Sequence, residues 1–346
     1  MSDPEILFER QGTLGLITLN RPKALNALTH GMCVAMKKTL DEWSRDATIT
    51  AVAVRGAGDR AFCAGGDIRS LYESGRDGTP YARAFYRDEY RLDAAIKHFP
   101  KPYIALIHGI VMGGGVGISV HGTFRIADET TTFAMPETGI GLFPDVGGSY
   151  FLPRCIGEVG MYLALTGARL RLADSLYAGV ATHFVPADRH AELLERVGNG
   201  STPVEVLSKL SMTPADTGIL PALRETIDRC FSRNSVEMIL DALGQEKAWG
   251  GDVIATISTK SPTSTKLAFQ QLRLGRTLDF DECMRMEFRM VNRVIDGRDF
   301  YEGVRATIID KDNEPKWRPD TLAAVSADEI ASYFAPLDNE LDLTGN

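Results

Sequence analysis

Residues 133–148 read FAMPETGIGLFPDVGG and set two carboxylates, Glu137 and Asp145, in a stretch built almost entirely of apolar residues, glycine and proline. Acidic side chains are almost never fully buried without a partner, and backbone this rich in glycine and proline makes tight turns rather than repeating elements. Two acids held by turns against an apolar wall suit proton transfer. Loss of water raises a carboxyl pKa toward neutrality, and a like charge nearby raises it further. The plain alternative is a pair of surface loop acids flanked by core residues.

Two glycine clusters bear on the choice. FCAGGDI follows the strand-like AVAVRG and runs into a helix start near Asp67, while MGGGVG follows YIALIHG and opens another helix. Unpaired N–H groups at such starts bind anions, and two of them aimed at one developing negative oxygen make an oxyanion hole. Glycine keeps side chains away so that a substrate reaches the backbone. Taken singly, each cluster reads as a tight turn; together they point to a site. A dinucleotide fingerprint is excluded, because glycines at 113, 114, 115 and 117 do not satisfy G-x-G-x-x-G.

The elements that position these residues follow from periodicity. ILFER and LGLITL, separated by Gln11-Gly12, predict a hairpin, and Met32, Met36, Leu40 and Trp43 mark one face of a helix. AVAVRG, YIALIHG, FRIAD and TTFAM predict strands, with a helix over 81–98. Strands alternate with helices to about residue 185, an α/β pattern. Beyond it AELLERVG, SVEMILDALG, TSTKLAFQQLRLG and DECMRMEFRMVNRVI predict helices only. We therefore divide the chain into an α/β part, 1–187, carrying the site, and a mainly helical part, 188–346, with GNGSTP near 198–203 as a joint.

Composition bounds the function. The 346 residues carry 44% hydrophobic and 24% charged side chains, ordinary for a globular protein whose core needs no disulfide staples. A net charge of −8 argues against a nucleic-acid binder. The five cysteines are odd in number and scattered, which favours a reducing compartment. The opening MSDPEILFERQG has no apolar signal core, no apolar run approaches membrane-spanning length, and the closing DLTGN matches no lipidation or peroxisomal signal, so the expected location is cytoplasmic. His108 and His121 bracket the glycine-started helix without a Cys, Asp or Glu at metal-ligand spacing, so no metal is expected. Cys63 has no histidine near it in sequence and reads as a small buried thiol. Met284, Met286 and Phe288 read as helix packing or a subunit contact.

NRPKALNAL, FCAGGDI, GIVMGGGVG and FAMPETGIGLFPDVGG occur in the order and spacing of the crotonase (enoyl-CoA hydratase/isomerase) superfamily, which the chain resembles. Within it, FYRDEYRLD, MPETGIGLFPDVGGSYFLPR, AGVATHFV and DFYEGVRATIIDKDNEPKWRP resemble the 3-hydroxyisobutyryl-CoA hydrolase branch, over nearly the whole chain. The resemblance implies an α/β spiral of β-β-α turns followed by a helical C-terminal region. It implies that Gly66 and Gly114 hold a thioester oxygen through their backbone N–H groups. CoA would lie against Lys23, Ala24, Leu25 and the segment Ala64–Ile68 (Ala64, Asp67 and Ile68 among its contacts), with Arg21, Lys23 and Arg69 available for phosphates. Hydratases pair the acid matching Glu137 with a second one, three residues after the oxyanion glycine; here that position is Gly117. The hydrolase branch instead resembles this chain in Asp145, eight residues after Glu137, and in Glu89 near the substrate.

The implied reaction is hydrolysis of a short β-hydroxyacyl-CoA, with 3-hydroxyisobutyryl-CoA giving 3-hydroxyisobutyrate and CoA in valine catabolism. Glu137 would act as general base or as nucleophile, with Asp145 steering water, the substrate hydroxyl or a proton to the thiolate. CoA belongs to the substrate and no separate cofactor is implied. One rival is an enoyl-CoA hydratase or isomerase working with Glu137 alone; a remoter one is a non-catalytic CoA- or RNA-binding relative. The superfamily's tendency toward trimers and hexamers makes a homo-oligomer an open possibility; neither a nucleic-acid nor a membrane partner is expected.

Overall fold

The computed structural model describes residues 3–343, so residues 344–346 of the DLTGN ending, and the reading made of them, lie outside the described residues. Among the described residues nine strands run in chain order: β1 (Ile6–Gln11), β2 (Leu14–Leu19), β3 (Ala51–Gly56), β4 (Ala61–Cys63), β5 (Tyr103–Ile107), β6 (Ile110–Met112), β7 (Phe124–Ala127), β8 (Thr132–Ala134) and β9 (His183–Phe184). The hairpin forms as its sequence predicts, β1 pairing antiparallel with β2. The larger sheet then continues in parallel, in the order β1-β2-β3-β5-β7-β9. LGLITL and YIALI are buried at every position, the near-continuous apolar run expected of parallel strands covered on both faces.

A second sheet takes the short strands in the order β4-β6-β8. Consecutive strands thus alternate between sheets: β3 then β4, β5 then β6, β7 then β8, each pair followed by helical structure before the chain returns to the larger sheet. This is the β-β-α spiral. Strand β6 carries too little periodicity to be read from sequence, where Ile110–Met112 looks like no more than the approach to a helix.

Two compact units divide the chain, and they cut across the boundary at 187. One comprises residues 1–66, 91–133 and 170–221; the other comprises 67–90, 134–169 and 222–346. The reason is visible in the first unit's core. Leu193, Leu194 and Val197 of the helix His190–Gly198, with Val206, Leu207 and Leu210 of the helix Pro203–Leu210, join Leu14, Leu16, Ala51, Ala53, Ile104, Leu106 and Ile126 of the larger sheet. Those two helices belong with the strands, and the GNGSTP joint lies within this unit.

The second unit is helical. Its helices include Ile68–Arg76, Val159–Thr166, Pro262–Gly275, Phe280–Val294 and Asp299–Val304, and the helix Tyr81–Lys97 begins in it. Asp67 caps the first of these, accepting from the Ser70 N–H. Met284, Met286 and Phe288 are buried in the helix Phe280–Val294, as core packing requires. None of the five cysteines forms a disulfide, and among the described residues no helix is long and apolar enough to cross a membrane.

Close approach at one glycine holds the helix Pro262–Gly275 against the turn that carries Asp145. A Cβ on Gly275 would lie 1.9 Å from the Ser149 carbonyl oxygen. Gly275→Ala is therefore expected to destabilise the protein by about 1–3 kcal/mol through overpacking. A Cβ on Gly251, in the helix Lys247–Ser258, would meet no atom within 4 Å, and Gly251→Ala should stabilise by up to about 1 kcal/mol through helix propensity. Urea midpoints moving in opposite directions for the two variants check this; equal shifts would refute it.

Candidate active site

Glu137 opens a single 3₁₀ turn, Glu137–Ile140, which Gly141 ends at φ +72°. Only glycine fits there, because a Cβ would lie 2.2 Å from the backbone of Asp299. The Leu142 N–H donates to the Glu137 carbonyl, closing the turn at 3.0 Å. The Glu137 side chain is only 5% exposed, and its Oε2 is buried without a hydrogen-bond partner. Burial raises this carboxyl well above the usual range and the charge of Asp145 adds to the shift, against a smaller opposing pull from its own N–H.

Asp145 sits in the turn that follows. Val146 takes φ 51° and Gly147 φ 82°. Positive φ at a β-branched residue is a strained conformation. Side chains from other helices hold it: Glu287 accepts from the Gly147 N–H and the Ser149 N–H at 2.8 Å each and from the Ser149 hydroxyl, and the Gln271 amide donates to the Pro144 carbonyl. Glu287 is itself fully buried. Burial pushes its pKa up to about 8, opposed by the Ser149 hydroxyl and raised again by Asp145.

The helix Tyr81–Lys97 supplies the other wall. Tyr86, Glu89 and Tyr90 stand at i, i+3 and i+4 and so share a face. The Tyr90 hydroxyl donates to Asp145 Oδ2 at 2.9 Å. Even so, burial pushes Asp145 up to about 7, with Tyr90 pulling down. Glu89 is 2% exposed with a buried, unpartnered Oε1, and burial followed by the Asp145 charge raises it well above an ordinary glutamate. Three acids predicted from sequence, Glu89, Glu137 and Asp145, therefore lie buried inside one compact unit, with the charge of Asp145 acting on the other two.

In the other unit, the glycine turns lie side by side. Gly113 caps the helix Gly114–Val120 at φ 49°, leaving Gly114 in its first turn. A Cβ on Gly65 would lie 3.7 Å from Gly113 Cα and 3.9 Å from the Gly114 nitrogen. Among the described residues neither the Gly66 nor the Gly114 N–H has a backbone acceptor. The segment Lys23–Leu25 adjoins the same loop, with the Ala64 N–H donating to the Leu25 carbonyl and the Leu28 N–H to the Gly65 carbonyl. Buried Asn26 fixes it there, donating to the carbonyls of Ala57 and Ala61 and accepting from the Arg21 N–H. Of the cations considered for phosphates, Lys23 and Arg69 are exposed. Arg21 is already engaged, paired with Glu5 and donating to the Ala27 carbonyl. Cys63 is buried, its thiol against the Gly65 carbonyl.

Tyr86, Tyr90, Gln271 and Glu287 escape a reading of the sequence. For Glu287 a signal exists: it falls in step with Cys283, Met290, Val291 and Val294 on the apolar face of its helix, where an acid needs a reason. The tyrosines give none, since aromatic residues at helical spacing read as core.

Over residues 14–334 the chain matches the family described as enoyl-CoA hydratase/isomerase. A protein named 3-hydroxyisobutyryl-CoA hydrolase, mitochondrial, from Danio rerio is 48% identical over 350 residues, covering 98% of this chain and 91% of that one. The protein of the same name from Homo sapiens is 45% identical over 343 residues, covering 96% and 89%. A solved structure described as a carnitinyl-CoA dehydratase from Mycobacterium thermoresistibile superposes with a TM-score of 0.95 at 40% identity, covering 99% of this chain and 100% of that one. Likeness of this extent, on the spiral traced above, makes the chain a member of the crotonase (enoyl-CoA hydratase/isomerase) superfamily in its 3-hydroxyisobutyryl-CoA hydrolase branch.

Proposed function

We propose that this chain hydrolyses 3-hydroxyisobutyryl-CoA to 3-hydroxyisobutyrate and CoA, acting in valine catabolism. The observation that carries the reading is the buried set Glu89, Glu137 and Asp145, all raised in pKa by burial, with the Asp145 charge adding to the shift at Glu89 and Glu137, in a chain whose curated relatives are named for this hydrolysis. By the family resemblance, the N–H groups of Gly66 and Gly114 draw charge onto the thioester oxygen. Ionised Glu137 then takes a proton from a water as that water's oxygen bonds to the carbonyl carbon, or bonds to the carbon itself and is released by water afterwards. The C–S bond breaks and the departing sulfur takes a proton through Asp145. Glu89 accepts from the acyl chain's hydroxyl. Lys23, Ala24, Leu25, Ala64, Asp67 and Ile68 flank the CoA moiety, and Lys23 and Arg69 serve its phosphates. No cofactor beyond the substrate's own CoA enters.

The solved dehydratase relative favours a second reading, hydration of an enoyl-CoA with Glu137 alone. Gly117 weighs against it, since the second acid of a hydratase is missing there. For the compartment we propose the cytoplasm, supported by five cysteines without a disulfide; the vertebrate relatives' names place those proteins in mitochondria.

Free-thiol release tests the proposal. Fast release from 3-hydroxyisobutyryl- and 3-hydroxypropionyl-CoA, with slow release from acetyl-CoA and no loss of the crotonyl-CoA double-bond absorbance, is expected. Loss of that absorbance without thiol release would establish the hydratase reading instead. Glu137→Gln should lower kcat by about 10²-fold or more, the contribution of a positioned acid–base group, and a loss below tenfold would remove Glu137 from its role.

The pH profile follows from the same groups. Glu137 works ionised, so the rate falls as pH drops through its raised pKa. Asp145 works protonated, so the rate also falls as pH rises through about 7. In Asp145→Asn the alkaline limb should vanish along with most of the rate; a limb that persists unchanged would assign it to another group.

A further inference from the structure

The buried polar atoms that the protein leaves without a partner in one compact unit include the Tyr86 hydroxyl, Glu89 Oε1 and Glu137 Oε2. Glu137 and Glu89 already have parts in the reaction. Tyr86 has none. A buried tyrosine hydroxyl ordinarily finds a hydrogen-bond partner, and this side chain is fully buried, at 2% exposure.

The ring has little freedom to seek one. It stands edge-on to Phe85, centroids 5.6 Å apart, and to Tyr90, 6.0 Å apart. Tyr90, four residues on, commits its hydroxyl to Asp145. Glu89, three residues on, shares the face and likewise keeps an unpaired oxygen. The phenol holds its proton firmly, since burial and then the charges of Asp145, Glu89, Tyr301 and Glu137 all raise its pKa. It is therefore a fixed donor beside a carboxyl that can accept.

A hydroxyl group fits that pair, because one alcohol accepts one hydrogen bond and donates another. We propose that Tyr86 is a specificity-determining substrate-binding residue, its hydroxyl donating to the β-hydroxyl oxygen of the acyl chain while that hydroxyl donates to Glu89. The assignment rests on the hydrolase reading above. A chain lacking the hydroxyl leaves both protein groups buried and unpaired, and sites built this way discriminate strongly against the analogue without the polar group.

The test compares 3-hydroxyisobutyryl-CoA with isobutyryl-CoA, which has the same carbon skeleton without the hydroxyl, by thiol release from the full chain. Wild type should prefer the hydroxylated substrate by at least about 100-fold in kcat/KM, given how strongly such pairs discriminate. Tyr86→Phe keeps the ring and its packing. It should cut that preference at least tenfold, through loss on 3-hydroxyisobutyryl-CoA, with isobutyryl-CoA turnover unchanged or faster. An equal loss on both substrates would mean that Tyr86 only supports the fold, and an unchanged ratio would mean that it touches no hydroxyl; either overturns the assignment while leaving the hydrolase reading intact. Should the variant not fold, the wild-type ratio still decides, a preference below tenfold counting against the pair. Absence of thiol release from both thioesters by wild type would overturn the hydrolase reading, and the assignment with it.

Discussion

Four carboxyl groups, those of Glu89, Glu137, Asp145 and Glu287, are buried within one compact unit, and the charge of Asp145 acts on the other three. They cannot all ionise there, because each charge loses its water and meets others of the same sign. Much of the surrounding structure is arranged around that constraint. Tyr90 gives one hydrogen bond to Asp145, and Asp145 consequently stands lower than burial alone would put it. Among the described residues no arginine or lysine is drawn in to neutralise the set: burial, neighbouring acids, a tyrosine and backbone govern the shifts at Glu89, Glu137 and Asp145. A paired cation would have made permanent carboxylates. Burial without one keeps the protons exchangeable, which is what general acid and base work demands.

Backbone strain is the second part of the same arrangement. Val146, at φ 51°, lies between Asp145 and a glycine in the left-handed region, and such a conformation persists only where its surroundings over-determine it. Glu287 and Gln271 do so from separate helices, Phe280–Val294 and Pro262–Gly275, by binding the turn's own N–H and C=O groups. Glu287 thus has a structural task that an apolar residue could not perform. It also explains why an acid stands among Cys283, Met284, Met290 and Val291. The helical region after residue 222 is no appendage to the site-bearing loop, since it supplies the side chains that fix the loop's shape.

How much of this is legible in the sequence follows the range of the interactions. The hairpin, the longer parallel strands and the amphipathic helices are local patterns and can be read. Strand β6, three residues long, cannot. The division at 187 reflects a real change in texture, yet the compact units differ from it because Leu193, Val197 and Leu207 pack on the larger sheet from far along the chain. Glu137 and Asp145 stand out because acids are rare in apolar, turn-rich sequence. Tyr86 is silent, for what distinguishes it is the absence of a partner, a property of three-dimensional surroundings. Arg21 shows the opposite failure: its charge looks available and is taken up by Glu5.

Relatives of this chain bear the names of a hydrolase and of a dehydratase while sharing its fold nearly end to end. The physical reason lies in which atoms are free to vary. In the proposed reaction, polarising the thioester falls to backbone N–H groups at Gly66 and Gly114, and a backbone amide survives almost any substitution that spares the turn. In that reaction the fate of the polarised carbonyl falls to side-chain acids, each one substitution from disappearing. Position 117, buried in the first turns of its helix, has no side chain here, so a second proton donor of the hydratase kind cannot come from that helix. The acids that remain are those of the helix Tyr81–Lys97 and of the loop 137–145, and both sets lie in the unit whose turns Glu287 and Gln271 hold in place. On the proposed reaction, divergence of chemistry on this fold thus keeps the backbone amides constant and changes the acids, together with the helices that support them.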